Sequence, residues 1–264
     1  MLTIEEYVKP WSVAEAYTLL TGGRNTAVVG GGAFMRLASR KIGTAVDLSR
    51  AGLNFIRETN DCVEIGAMTT FRQLEQSLPL QNNLDGLIPQ TVRNVGGVQL
   101  RNMVTVGGTV YGRYGFSELL TGLMVLDVHV VFHKNGTMTL SEFLAHGNPL
   151  DILEKVILVK QDLRGSYQVF RNTGGSLPLL CAAVSRQNGQ YKIAVGGRPG
   201  VATLAREAMA FLNADRENGA RNPEQTGEIA AGELDFGSDR KASAAYRREL
   251  CKILVKRAVM EVKP

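Results

Sequence analysis

Twice this chain runs from β-branched residues into paired glycines, first at Ala27-Val28-Val29-Gly30-Gly31-Gly32 and again at Val104-Thr105-Val106-Gly107-Gly108-Thr109. β-branched side chains favour extended backbone, and glycine removes the Cβ that would hold a ligand off the main chain. Each run therefore reads as a strand ending in a turn of bare amides. Successive bare amides form a concavity suited to an anion such as a pyrophosphate. Two such turns, with Gly30 and Gly107 77 positions apart, suggest a dinucleotide gripped from both sides. A Cβ placed on Gly31 or Gly108 is then expected to block the approach of backbone to phosphate.

The commonest dinucleotide motif does not fit these turns. A Rossmann turn needs G-x-G-x-x-G, whose last glycine lets helix and strand pack closely, and Met35 holds that position. Asp47, ending the next strand, stands where a ribose-binding acid would. No Gly-Lys-Ser/Thr is present, which excludes a Walker loop, and no Gly-x-Ser-x-Gly elbow appears. His129 and His133 share a strand face with Asp127, while Val128, Val130 and Phe132 face the other way. His146 is remote, so the pair reads as two histidines on a solvated face and not as a metal site. A chain this poor in catalytic side chains suits a protein whose chemistry is done by a cofactor it holds.

At 264 residues the chain has the length for a buried core in one or two domains. Its three cysteines, Cys62, Cys181 and Cys251, are scattered, and fall short of the four thiolates of an ordinary iron–sulfur cluster. No apolar run approaches the ~18–20 residues that span a bilayer. The acidic start, Met1 to Glu6, lacks the layout of a signal peptide, so a cytoplasmic protein without membrane contact is expected. The net charge of +5 sits in one place: Asp239–Pro264 carries eight basic residues against three acidic ones. Only Tyr246 interleaves with them and no nucleic-acid motif accompanies them, so no nucleic-acid partner is expected. The segment reads as a solvated helix face or a surface meeting an acidic partner subunit.

Capping and turn signals order the elements. Ser12 and Glu15 open a helix that carries Ala16, Leu19 and Leu20 and ends at Gly22-Gly23. After the first glycine turn a helix is expected over Phe34–Lys41, then a strand Ala45–Leu48. Phe55-Ile56 and Cys62–Gly66 read as paired strands, and Thr70 with Gln73 opens a helix to about Leu78. Helices follow at Leu87–Val92 and, capped by Ser117, at Leu119–Leu126. A hairpin turns at Asn135-Gly136 between Asp127–Phe132 and Met138–Leu140, and Val156–Val159 is a further strand. The polar stretch Lys160–Ser166 marks a domain boundary. Beyond it lie a meander (Tyr167–Arg171, Leu179–Val184, Tyr191–Val195) and helices at Ala202–Ala214, Glu228–Ala231 and Ala242–Val262.

The stretch Leu100-Arg101-Asn102-Met103-Val104-Thr105-Val106-Gly107-Gly108-Thr109, followed by Ser117-Glu118-Leu119, resembles the "I-R-N-x-x-T-I-G-G-N … S-D-L" signature of FAD-binding subunits in molybdenum hydroxylases. This is the xanthine dehydrogenase and carbon monoxide dehydrogenase family. Val28 to Met35 falls where that family has "x-A-G-G-T-D-L-L", and Ile65 to Thr70 matches "I-G-A-x-T-T". Tyr246-Arg247-Arg248-Glu249-Leu250, with Val255 to Ala258, matches "Y-R-R-x-L … V-x-R-A".

The resemblance implies an α+β fold: a two-lobed FAD-binding domain of the vanillyl-alcohol-oxidase type over residues 1–162, then a smaller α+β domain over 163–264. It implies that Val28, Val29, Gly30, Gly31, Gly32 and Ala33 wrap the FAD pyrophosphate, with Thr105, Gly108 and Thr109 as the second wall. Glu118 would reach the ribityl or flavin region, Val156 would pack near the ring, and Arg171 matches a basic residue close to the flavin. Electrons would pass from a [2Fe–2S] subunit through FAD to NAD or another acceptor, while a large molybdopterin-binding subunit carries the organic chemistry. Four positions depart from the family pattern: Gly32 for Thr, Ala33 for an acid or amide, Thr109 for Asn and Glu118 for Asp. Each lost side-chain hydrogen bond costs ~0.5–1.5 kcal/mol, so two losses weaken FAD roughly tenfold. The departures motivate a second reading, a non-catalytic assembly subunit with weakened or lost FAD binding.

Overall fold

The computed structural model describes residues 1–214 and 222–262; Lys263, counted above in the basic segment, lies outside them. In chain order the elements are β1 (Thr3–Val8), α1 (Val13–Gly22), β2 (Thr26–Val29), β3 (Lys41–Asp47), β4 (Ile56–Glu58), β5 (Cys62–Gly66), α2 (Phe71–Gln76) and α3 (Leu78–Asn82). There follow α4 (Leu87–Val92), α5 (Val98–Arg101), α6 (Val106–Gly112), α7 (Glu118–Leu123), β6 (Val128–Phe132), β7 (Gly136–Thr139), α8 (Leu140–Ala145) and β8 (Leu153–Val159). The last elements are β9 (Arg164–Phe170), β10 (Leu180–Gln187), β11 (Gln190–Gly196), β12 (Thr203–Leu204), α9 (Arg206–Asn213), α10 (Pro223–Glu233) and α11 (Ala244–Glu261). They form two compact units. The first is built from Met1–Leu74, Val98–Gly112 and Val128–Val159; the second from Glu75–Gly97, Arg113–Asp127 and Lys160–Pro264.

Unit 1 holds two sheets. In the smaller, β1, β3 and β2 run parallel in that order, Tyr7 and Ala27 both lying opposite Ala45. Parallel strands need a crossover, and α1 supplies it. Ser12 accepts the Glu15 amide at 3.1 Å, and the Glu15 carboxylate accepts the Trp11 amide at 2.8 Å. Because the strands are parallel, their carboxyl ends share one edge, and the Gly30–Gly32 turn leaves β2 there. The larger sheet is antiparallel in the order β4-β5-β8-β6-β7.

Unit 2 packs the antiparallel sheet β12-β11-β10-β9 against helices. Leu180, Ala182, Val184, Ile193 and Val195 are buried in one core with Leu250, Leu254, Val255 and Ala258 of α11. Helix α7 lies against β10 and β11, and α4 against α7 and β9.

Several elements differ from the sequence expectations for identifiable reasons. Only a 3-10 turn, Met35–Leu37, replaces the helix expected over Phe34–Lys41. The central strand β3 claims the chain from Lys41, and Leu37 stays 73% exposed with no apolar face to bury. The helix opened by Thr70 stops at Gln76, because Ser77 caps a new helix with a proline at its start. Thr203–Leu204 pairs with Ala194 and Val195 at the sheet edge, which shortens the expected Ala202–Ala214 helix to α9.

The basic C-terminal segment is not all surface. Arg247 is 1% exposed; its Nε donates to the Leu179 carbonyl at 3.0 Å, and its terminal nitrogens donate to Gly237 O, Ala242 O and Asp239 Oδ1. Arg247 is scaffold, tying the start of α11 to the sheet. Hydrogen bonding from Arg247, against a smaller burial effect, holds the Asp239 carboxyl at about 2 instead of 3.8. A depressed carboxyl contributes stability that is present above 3.8 and lost as pH falls through about 2. Asp239→Asn is therefore expected to lower the melting temperature at pH 7 and to flatten the acid limb of its profile between pH 4 and 2, where the gap to wild type closes. An unchanged acid limb would show that this carboxyl is not coupled to folding.

Candidate functional site

The first glycine turn has the geometry of an anion cradle. Among the described residues the amides of Gly31, Gly32 and Ala33 find no acceptor within the chain. Gly32 adopts φ +65°, and nothing lies closer than 3.9 Å to the place its Cβ would take. A β-branched residue scarcely enters that conformation, so glycine suits the position better than the threonine the resemblance implies. Val29 and Ala33 are buried, and Val28 is half-buried in the strand that feeds the turn.

The second turn lies directly opposite, but it is built differently from expectation. Val104–Val106 is no strand: Thr105 makes one isolated bridge to Thr70, and Val106 to Gly112 is helix. Thr105 caps that helix by accepting the Gly108 amide at 3.2 Å. The Val106 amide donates to Thr69 O and the Gly107 amide to Ala67 O, at 2.9 and 2.7 Å. These amides are occupied, so the second turn offers no bare cradle of its own. What it offers is a wall. A Cβ on Gly30 would stand 2.7 Å from Thr105 Oγ1 and 3.8 Å from the Gly108 backbone, so the two turns touch. Thr105 and Thr109 are both buried beside it.

Gly31 has a further duty that the pattern concealed. A Cβ there would collide with the Met103 carbonyl, whereas one on Gly108 would meet only Thr105 Oγ1, at 3.0 Å. Gly31 therefore serves backbone packing within unit 1 as well as access to a phosphate.

Glu118 and Arg171 belong to unit 2, where they form a buried ion pair. Arg171 donates to Glu118 Oε2 at 2.5 Å and to Ser176 O at 3.0 Å, and the Tyr167 hydroxyl donates to the same Glu118 oxygen at 2.7 Å. Their side chains are 9% and 3% exposed for Arg171 and Glu118. Burial pushes the Glu118 carboxyl up, while Arg171 and Tyr167 oppose the rise. Burial also lifts the Tyr167 phenol well above its usual value and the neighbouring Cys181 thiol to about 12. Thr121 Oγ1 lies 3.3 Å from Cys181 Sγ. Tyr167, Thr121 and Cys181 carried no sequence signal; only the folded sheet and α7 bring them to Glu118.

Other candidates are absorbed by the scaffold. Val156 is 0% exposed in the middle strand of the larger sheet, opposite Ile65 and Val130, so it packs the core and has no open face for a ring. Asp47 accepts from the Tyr7 hydroxyl and, at 2.8 Å, from the Ser49 amide, with Lys9 at 3.6 Å. Burial raises its pKa, but these partners outweigh it and hold the carboxyl below its usual value. An acid so engaged caps the turn after β3. His133 pairs through Nδ1 with Glu154 at 2.8 Å.

Comparison with known proteins adds the following. A family model described as the FAD binding domain in molybdopterin dehydrogenase matches residues 2–160, and one described as the CO dehydrogenase flavoprotein C-terminal domain matches residues 165–262. The chain is 26% identical over 275 residues to the nicotine 6-hydroxylase medium subunit of Paenarthrobacter nicotinovorans, covering 97% of this chain and 96% of that one. It is 22% identical to the glyceraldehyde dehydrogenase medium chain of Sulfolobus acidocaldarius, with 97% of each covered. A chain of carbon monoxide dehydrogenase from Hydrogenophaga pseudoflava superposes with a TM-score of 0.86 at 23% identity, over 97% of this chain and 96% of that one. That likeness shows a shared two-domain α+β fold.

Proposed function

Because the chain belongs to the family of FAD-binding domains in molybdopterin dehydrogenases, we propose that it is the electron-transfer flavoprotein subunit of a molybdenum-containing hydroxylase or dehydrogenase complex. The cofactor of the family is FAD. The observation that carries the reading is the row of unpaired amides from Gly31 to Ala33, closed on its far side by Thr105 and Gly108. Those amides would hold the pyrophosphate, and Thr105 Oγ1, which accepts from Gly108, keeps its own proton to donate to a phosphate oxygen. Val28 and Thr109 complete the proposed lining. Glu118 and Arg171 are proposed to set the electrostatics of the flavin end, with charge fixed by their mutual pairing. When bound, FAD stores an electron pair and releases it singly or together.

In this reading residues 1–162 form the FAD-binding domain and 163–264 the C-terminal domain. Electrons arrive from a partner's [2Fe–2S] clusters and leave to NAD or another acceptor, and a large molybdopterin-binding subunit oxidises the organic substrate. The names of two relatives, a medium subunit and a medium chain, support a place in such a complex. Among the described residues no helix is long and apolar enough to cross a membrane, consistent with the proposed cytoplasmic site of action.

Purified protein, or protein reconstituted with FAD, is expected to show flavin absorption that survives desalting and is released on denaturation. The isolated chain should reduce dyes at most, and oxidise no purine or N-heterocycle. A protein that stays colourless at high micromolar FAD would support the assembly-subunit reading instead. One that elutes alone and oxidises a small organic substrate unaided would overturn the subunit reading.

A further inference from the structure

Helix α11 buries one side and displays the other. Arg247, Leu250, Cys251, Leu254, Val255, Ala258 and Val259 face the core of unit 2. On the outer side Tyr246, Ile253 and Met260 are 45%, 46% and 54% exposed. They recur every seven residues, and at 1.5 Å per residue the three span about 21 Å of one helix face. Phe170 of β9, 38% exposed, meets the Tyr246 ring edge-on at 6.4 Å and extends the track. Besides Leu78, these four are the exposed large hydrophobic residues of unit 2 among the described residues. Scattered exposed apolar residues need no explanation; a contiguous stripe marks a contact surface.

The charge beside the stripe is mostly basic, Glu249 between Tyr246 and Ile253 being the acid that flanks it. Arg257 sits between Ile253 and Met260 on the same face, and Arg240, Lys241 and Arg248 are exposed nearby in sequence. The local acids are already engaged: Glu249 with Lys252 at 2.8 Å, Glu224 with Lys256 at 3.3 Å, and Glu261 with Ser166 and Gln168. Outside Asp239–Pro264 the chain balances 22 basic against 22 acidic residues, so this helix and its entry carry the whole excess. A second copy of the chain would set the net basic excess of one segment against that of the other, eight basic residues against three acidic in each. A membrane would need a wider apolar face than this one, whose other side is locked in the core.

We propose that the Phe170–Tyr246–Ile253–Met260 stripe is the docking face for another subunit of the same complex, one presenting apolar side chains rimmed by Asp and Glu. The proposal rests on the subunit reading above. Complementary charge steers the encounter and fixes register, and the apolar centre supplies the affinity.

The test is to express the tagged full-length chain in its source organism and purify it as wild type, as Ile253→Asp/Met260→Asp and as Arg257→Glu. The double variant is expected to lose at least tenfold of the co-purifying subunit, with circular dichroism and FAD content unchanged. Arg257→Glu should weaken association and flatten its dependence on NaCl. A double variant that keeps its partner at wild-type yield overturns the proposal and leaves the subunit reading intact. A wild-type chain that purifies without partners overturns both. Concentration-dependent dimers, or flotation with phosphatidylserine vesicles, abolished by the double variant would assign the stripe to a second copy or to lipid, and overturn it equally.

Discussion

Gly31→Ala is expected to abolish FAD retention through desalting, an affinity loss of at least a hundredfold, and to lower the melting temperature by several degrees. One methyl group suffices, because it would occupy the space of the Met103 carbonyl. A flexible side chain can swing away from such a collision, but a backbone carbonyl held between α5 and the second glycine turn cannot. Overpacking of this kind costs typically ~1–3 kcal/mol and sometimes more. Displacing the turn also misaims the three amides that would hold the phosphates. Gly147→Ala is the control, since nothing lies within 4 Å of its added Cβ. Flavin absorbance after desalting and a thermal melt are the two measurements. If Gly31→Ala retains FAD and melts like wild type, the turn is looser than drawn and the cradle assignment fails.

Arg171→Met is expected to cost about 3–5 kcal/mol near neutral pH, the usual penalty for leaving one member of a buried ion pair alone. Its pH dependence carries the diagnosis. Burial already raises the Glu118 carboxyl above 4.5, and Arg171 is the largest influence holding that rise down. A group with a raised folded-state pKa contributes stability that is fully present below the unfolded value and lost as pH rises through the folded one. Without Arg171 the folded value climbs further, so the variant loses more stability on the alkaline side. The gap to wild type should be widest at pH 8 and narrow toward pH 4.5, read by urea denaturation across that range. Adding Glu118→Gln to Arg171→Met should recover part of the loss and remove the slope. A penalty independent of pH would mean that the arginine matters for packing alone.

Much of this fold could be read from local chemistry. Ser12 and Ser117 cap the helices they precede as expected, and the meander strands after Lys160–Ser166 form β9, β10 and β11 of one antiparallel sheet. What misled was the run Val104-Thr105-Val106. Three β-branched residues argue for a strand, yet Thr105 is as good a helix cap as a strand former, and the carbonyls of Ala67 and Thr69 decide the matter by taking the next amides. Those carbonyls lie more than thirty positions earlier in the sequence. The first cradle was legible because glycine acts through its own backbone. The Glu118 cluster was legible only in part, since Tyr167 and Cys181 are ordinary core-strand residues until the sheet sets them beside α7. Arg247 was misjudged for a related reason: one arginine in a run of basic residues gives no sign that it points inward.

The interleaving of the two units bears on how the chain is made. Strand β8 lies between β5 and β6, so the larger sheet of unit 1 is complete only once Val159 is available. By then α4 and α7 of unit 2 have been synthesised, but β9, β10 and β11, on which they pack, have not. The remaining stretch to Glu261 is 102 residues, which at ~5–20 residues per second takes a ribosome ~5–20 s. Through that interval Leu87, Ile88, Leu119 and Leu120, all at most 1% exposed in the finished fold, stand in water as two apolar loops thrown out of an otherwise closed unit. The nascent chain is thus most exposed to aggregation late in synthesis, after its first half has folded, and that is the window in which a holding chaperone has something to hold.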